Sequence, residues 1–134
     1  MKKNYLNLPG SPTLKSYHHV VTTEPGRMIF LSGQVAFDSN RHIIGENDVV
    51  AQTRQEMDNL KAAVETGGGH ISDIVQLTTH VVDYDPRQLD DMTGTIAEFF
   101  EPDCLPTNTL VGIASLSTPG LLIEIGGIAV TDNG

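Results

Sequence analysis

The chain has no tryptophan, a single cysteine, and only 5% aromatic residues. A lone Cys104 excludes an intrachain disulfide and fits a reducing compartment. No run approaches the ~20 apolar residues that a membrane-spanning helix requires. The lysines of "MKKNYLNLPGSP" are followed by no apolar stretch, so no secretory signal is expected. Basic residues are scarce: 8 Lys and Arg against 17 Asp and Glu leave a formal net charge of −9. Such a chain lacks the basic footprint of a nucleic-acid binder and is unsuited to an anionic membrane surface. His18, His19, His42, His70 and His80 show no zinc-ligand spacing, so no metal is expected. "SGQ" at 32–34 is no nucleophile elbow, which needs G-x-S-x-G. Repeats, low-complexity tracts and linkers are absent. One cytoplasmic domain over residues 1–134, without a cofactor, is the expectation.

Residues 1–15, with Pro9, Gly10 and Pro12, read as an irregular arm. "YHHVVTT" and "RMIFLSGQVAF" flank the turn "EPG" and read as a hairpin. A first helix is expected from Asn47 or Asp48, with Val50, Thr53, Met57, Leu60 and Val64 as its buried stripe. Gly67, Gly68 and Gly69 end it, and "GGGH" is therefore a helix stop rather than a phosphate loop. In "DIVQLTTHVVDY", Val75, Leu77, Thr79 and Val81 share a strand face. Asp85-Pro86-Arg87-Gln88 opens a second helix as a capping box, with Leu89, Met92, Ile96 and Phe99 inward. "TNTLVGIASL" and "LLIEIGGIAV", joined by "STPG", close the chain as a last hairpin.

The order β-β-α-β-α-β-β predicts an α+β fold, a sheet with two helices on one face. The strands are apolar on both sides: Ile74 and Val82 back Val75 and Val81, and Leu122 and Ile128 back Ile123 and Ile125. Large exposed apolar patches are uncommon on monomers, so a homo-oligomer should cover the second face.

Against that apolar background Glu124 stands out. A buried carboxylate is costly unless it is paired or keeps its proton. Glu124 is therefore either a structural acid satisfied by a neighbour or solvent, or a general acid/base. His80, on a strand, reads as structural. His18 and His19 point to opposite strand faces, so at most one can line a given pocket.

The segments "IFLSGQVAFD", "AQTRQEMDNLKAAVE", "DIVQLTTHVVD" and "IEIGGIAV" resemble the RidA/YjgF family over roughly residues 15–130. The resemblance implies a chorismate-mutase-like homotrimer with a central barrel and small-molecule clefts between subunits. It also implies hydrolysis of enamines or imines to a 2-oxo acid and ammonia. Glu124 falls on the family glutamate that positions water. Tyr17, Ser32 and Gly33 fall on cleft-lining positions, and Thr93 stands where the family's second-helix asparagine is found. The family motif P-x-R-S-x-V reads Pro106-Thr107-Asn108-Thr109-Leu110-Val111 here. Asn108 thus replaces the arginine that grips a substrate carboxylate, and Leu110 replaces a frequent cysteine. An amide supplies neither the charge nor the two-pronged fork of a guanidinium. The implied function is a cleft for a ligand other than small anionic 2-imino acids, with imine hydrolysis or binding without turnover as the two readings. An endoribonuclease activity fits a −9 chain poorly.

Overall fold

The structure is a computed structural model and describes residues 1–12 and 14–132. Its elements are β1 (Lys3–Leu6), β2 (Val20–Thr23), β3 (Arg27–Gln34), α1 (Val49–Thr66), β4 (Ile74–Val82), α2 (Leu89–Ala97), β5 (Thr107–Ile113) and β6 (Ile123–Thr131). The main sheet has the order β3-β6-β4-β5, and β1 and β2 form a separate two-stranded ribbon. It is a mixed α+β fold, as expected. Among the described residues no helix is long and apolar enough to cross a membrane.

Local chemistry accounts for α1. Asp48 is extended, and its carboxylate accepts from Ala51 N at 3.0 Å, satisfying one orphan donor of the first turn. At the other end Gly68 takes φ +88°, which a side chain resists. The buried stripe runs Val49, Gln52, Thr53, Glu56, Met57, Leu60 and Val64. Val49, not the expected Val50, therefore leads it, and two long polar side chains lie in it. Burying Met57, Leu60 and Val64 contributes about 1.5–3 kcal/mol each. The second helix departs from its expected start. Asp85 caps a 3₁₀ turn, Pro86–Gln88, by accepting from Arg87 N at 2.9 Å, and α2 begins only at Leu89 with no cap from Gln88.

Strand pairing corrects three expectations. The arm is not irregular throughout, because Lys3–Leu6 pairs antiparallel with β2. The hairpin of β2 with β3 does not form. Pro25 holds φ near −65°, which suits no primed two-residue turn of the kind that closes a tight hairpin. The C-terminal hairpin does not form either: β5 runs parallel to β4 through the α2 crossover. Residues 114–122 then carry the chain past β4, so that β6 lies antiparallel between β3 and β4. Gln52 guides this entry, donating to Gly45 O and Gly120 O and accepting from Leu122 N at 2.8 Å. A register shift between Ile74 and Gln76 also changes the inward face of β4. Ile74, Leu77, Thr79 and Val81 are buried, while Val75 is only partly so.

Both helices cover one face of the sheet, where Leu77, Val81, Ile123 and Ile125 join Met57, Leu60, Met92 and Ile96 in the core. The opposite face is open. Phe30 is 71% exposed and Met28 54% on β3, and Val111 is 40% exposed on β5 at the other edge of the sheet.

Candidate functional site

Alternation along β6 decides where Glu124 goes. Ile123 and Ile125 enter the core, so Glu124 points to the open face. Its side chain is 32% exposed, less buried than an all-apolar reading of the strand implies. In the β4–β6 register His80 stands directly across from it, with Nδ1 at 4.0 Å from Oε1. On the other side lies β3, whose register shifts between Leu31 and Gln34. A Cβ at Gly33 would overlap the Glu124 side chain, so glycine there makes room for the carboxylate. Glu124, Gly33, His80, Thr78, Gln76 and Phe30 line one pocket of about 350 Å³. Ser32, the neighbour of Gly33, is exposed and does not line this pocket or the second one described below.

The remaining candidates gather on the other face. Tyr17, Thr93, Asn108 and Leu110 line a second pocket of about 330 Å³, together with Tyr84 and Asp90. In the parallel β4–β5 register Asn108 sits beside Leu77 and Leu110 beside Thr79, both core-facing residues. The buried Thr79 hydroxyl donates to Asn108 Oδ1 at 2.9 Å, leaving the amide N–H groups for a ligand. Thr93 donates to Leu89 O at 2.9 Å within α2. Tyr17 is steadied edge-on by His19, at 5.8 Å between ring centroids. His19 Nδ1 in turn accepts from Leu8 N at 3.0 Å, and His18 Nδ1 lies 2.9 Å from Leu105 O. His18 thus ties the N-terminal segment to the body while His19 braces that segment internally, and neither lines a pocket described above. The seven site candidates therefore divide: Glu124 and Gly33 on the open face, Tyr17, Thr93, Asn108 and Leu110 on the helical face, and Ser32 with neither.

No cation lines either pocket. Arg27 donates to Gly67 O and Gly68 O at the end of α1, and Arg54 pairs with Glu98 on α2 at 2.9 Å. Arg41 lies 5.0 Å from the Phe37 ring centroid, and Arg87 grips Asp85 at 2.8 Å. That contact holds the Asp85 carboxyl below the usual carboxylate range, chiefly through the hydrogen bond from the Arg87 side chain. The charged groups facing the two pockets are Glu124, Asp90 and, when protonated, His80.

Residues 10–131 match the family described as endoribonuclease L-PSP. The chain belongs to the RidA/YjgF family. A RutC family protein of Pyrococcus horikoshii is 31% identical over 104 residues, 78% of this chain and 79% of that one. Among solved structures, the Rid-family protein YyfB of Yersinia pestis, itself of unknown function, superposes with a TM-score of 0.92. It is 32% identical, over 98% of this chain and 100% of that one. TdcF of E. coli, solved with bound serine, has a TM-score of 0.69 at 26% identity, over 96% and 94% of the two chains.

For this RidA-family chain, sequence reasoning passed over His80, Tyr84 and Asp90. His80 reads as structural from its place on a strand; only the β4–β6 register sets it against Glu124. Asp90 lies one turn before the candidate Thr93 on α2, a spacing that could have flagged it.

Proposed function

We propose that this RidA-family protein is a homotrimer whose intersubunit clefts bind a small molecule and hydrolyse its C=N or enamine bond, with Glu124 as the general acid/base. The observation that carries this reading is the division of the candidate residues between two faces of one sheet. Neither pocket alone holds both Glu124 and the Tyr17, Thr93 and Asn108 positions that the family resemblance assigns to one cleft. A cleft between two copies can unite them, Glu124, Gly33 and His80 from one subunit meeting Tyr17, Thr93 and Asn108 from another. The exposed Phe30, Met28 and Val111 of the open face support burial against further copies.

In the proposed reaction Glu124 accepts a proton from water as the oxygen adds to the C=N carbon. It then returns the proton to the nitrogen, and the carbinolamine collapses to a carbonyl and ammonia or an amine. No cation is present to hold a substrate carboxylate, and Asp90 would repel one. The substrate class is therefore an imine or enamine that is neutral or cationic, rather than an anionic 2-imino acid. The same shortage of positive charge makes RNA a poor ligand. The unpaired Cys104 accords with a cytoplasmic protein. A second reading, binding without turnover, is favoured by Asn108, which stands where the family motif has its arginine.

Subunit complementation tests the proposal. Glu124→Gln and Leu110→Trp should each abolish turnover, one by removing the acid/base and the other by filling the second pocket. Trimers mixed from the two variants should regain part of the activity, because some interfaces would combine an intact Glu124 with an intact Leu110. A site contained within one chain predicts no recovery. Turnover by neither wild type nor mixture, with ligand binding complemented in the same way, would select the non-catalytic reading.

A further inference from the structure

Among the described residues Glu56 is the only ionisable side chain with no solvent exposure, and neither of its carboxyl oxygens has a hydrogen-bond partner. It sits on the inward stripe of α1, one turn after Gln52 and beside the fully buried Met57, where α1 packs on β3 and β6. The titratable group that acts on it from β6 is Glu124, with His80 of β4 beyond at 4.0 Å from Glu124. β3 offers none along Leu31–Gln34, where Gly33 leaves room for the Glu124 side chain. The neighbours of Glu56 on the α1 stripe, Gln52, Thr53 and Leu60, are neutral.

Two carboxylates close together in a medium of low polarity cannot both ionise cheaply, and the more buried one keeps the proton. Burial first, and the charge of Glu124 second, push Glu56 up to about 10. An acid kept unpaired inside a helix–sheet interface destabilises the fold at neutral pH, while an apolar residue would fit that stripe without the penalty. Its placement behind Glu124 gives the cost a purpose.

We propose that Glu56 is a positioning residue for Glu124: a buried, unpartnered carboxyl on the sheet-facing side of α1 that spares Glu124 a second negative charge behind the sheet. This rests on the reading of Glu124 as the acid/base of the site. Ionisation of Glu56 at alkaline pH places a second negative charge behind Glu124 and upsets that arrangement. Glutamine at position 56 imitates the protonated acid and cannot titrate.

The test needs no substrate. Glutamate side-chain carboxyl carbons are followed by NMR across the pH range in the intact protein, with Glu56→Gln and Glu124→Gln identifying the two resonances. The Glu56 carbon should remain at its protonated position through neutral pH and move only toward about pH 10. In the wild type the Glu124 carbon should shift again over that same alkaline range, and Glu56→Gln should remove the second shift. Should Glu56→Gln fail to fold, Glu56→Leu, of similar volume and equally neutral, provides the same comparison. A Glu56 carbon that ionises with the surface carboxylates overturns the proposal. So does a Glu124 carbon that passes unmoved through the alkaline range, the result expected if Glu56 only fills space. Because both readouts are titrations, they can succeed or fail independently of imine hydrolysis.

Discussion

The two faces of the main sheet treat polar groups in opposite ways. On the open face Glu124 is one-third exposed, has His80 across the strand pair at 4.0 Å, and looks over an apolar surface that includes Phe30. On the helical face Glu56 is sealed from water without a partner, while Thr79 and Asn108 satisfy each other at the rim of the second pocket. The difference follows from strand geometry. Successive side chains alternate, so a carboxylate next to core isoleucines emerges on the far side, away from the groups on β5. On the proposed reading, a second copy of the chain brings the two sets together.

The largest effect should come from disabling the open face. Glu124→Gln is expected to lower turnover about 10²–10⁴-fold, the usual loss for a general acid/base. Oligomeric state by light scattering and the melting temperature should not change. Loss of assembly would instead make Glu124 a structural residue of the interface.

Next comes the buried acid. Glu56 ionises more readily unfolded than folded, so its stabilising contribution is present below about pH 4.5 and declines as pH rises toward about 10. At 1.36 kcal/mol per unit, the penalty at pH 7 is about 3 kcal/mol. Glu56→Gln should therefore be more stable than wild type by roughly that amount at neutral pH, with little difference near pH 4. Urea denaturation at fixed protein concentration across this range checks it. Equal pH dependence in both proteins would mean that Glu56 is ionised in the fold.

Changing the helical face should alter selectivity. Asn108→Arg supplies a guanidinium that can pair with a substrate carboxylate, a contact worth roughly 1.5–3 kcal/mol. Asp90 in the same pocket competes for it. Hydrolysis of 2-aminoacrylate-type imines should be undetectable or slow in the wild type and should rise about tenfold in this variant. Asn108→Arg combined with Asp90→Asn should gain more. The coupled assay for the 2-oxo acid reads both, and wild-type turnover at ordinary enzymatic rates would show that another cation grips the carboxylate.

The smallest effect belongs to neither face. Arg54 and Glu98 join α1 to α2 through an exposed ion pair, and Arg54→Ala should shift stability by no more than about 0.5 kcal/mol. A larger loss in thermal denaturation would mean that this pair helps hold the helical layer in place.

Much of this was legible in local patterns. The Asp48 cap, the glycines after α1 and the shortage of positive charge can all be read directly, and isoleucines on either side of Glu124 marked it as anomalous. The family resemblance pointed to six residues that do line pockets, and the structure sorted them into two groups. Glu56 went unnoticed because a polar residue in a helical stripe resembles a solvated neighbour; burial is visible only once β3 and β6 pack against it.

From the sequence alone came the element types, the reach of α1 and the net charge, since caps, periodicity and composition act over a few residues at a time. Which strands pair was decided by the tertiary structure. Inserting β6 between β3 and β4 buries Ile123 and Ile125 against α1, and only that non-local choice sets His80 opposite Glu124 and leaves Glu56 behind it.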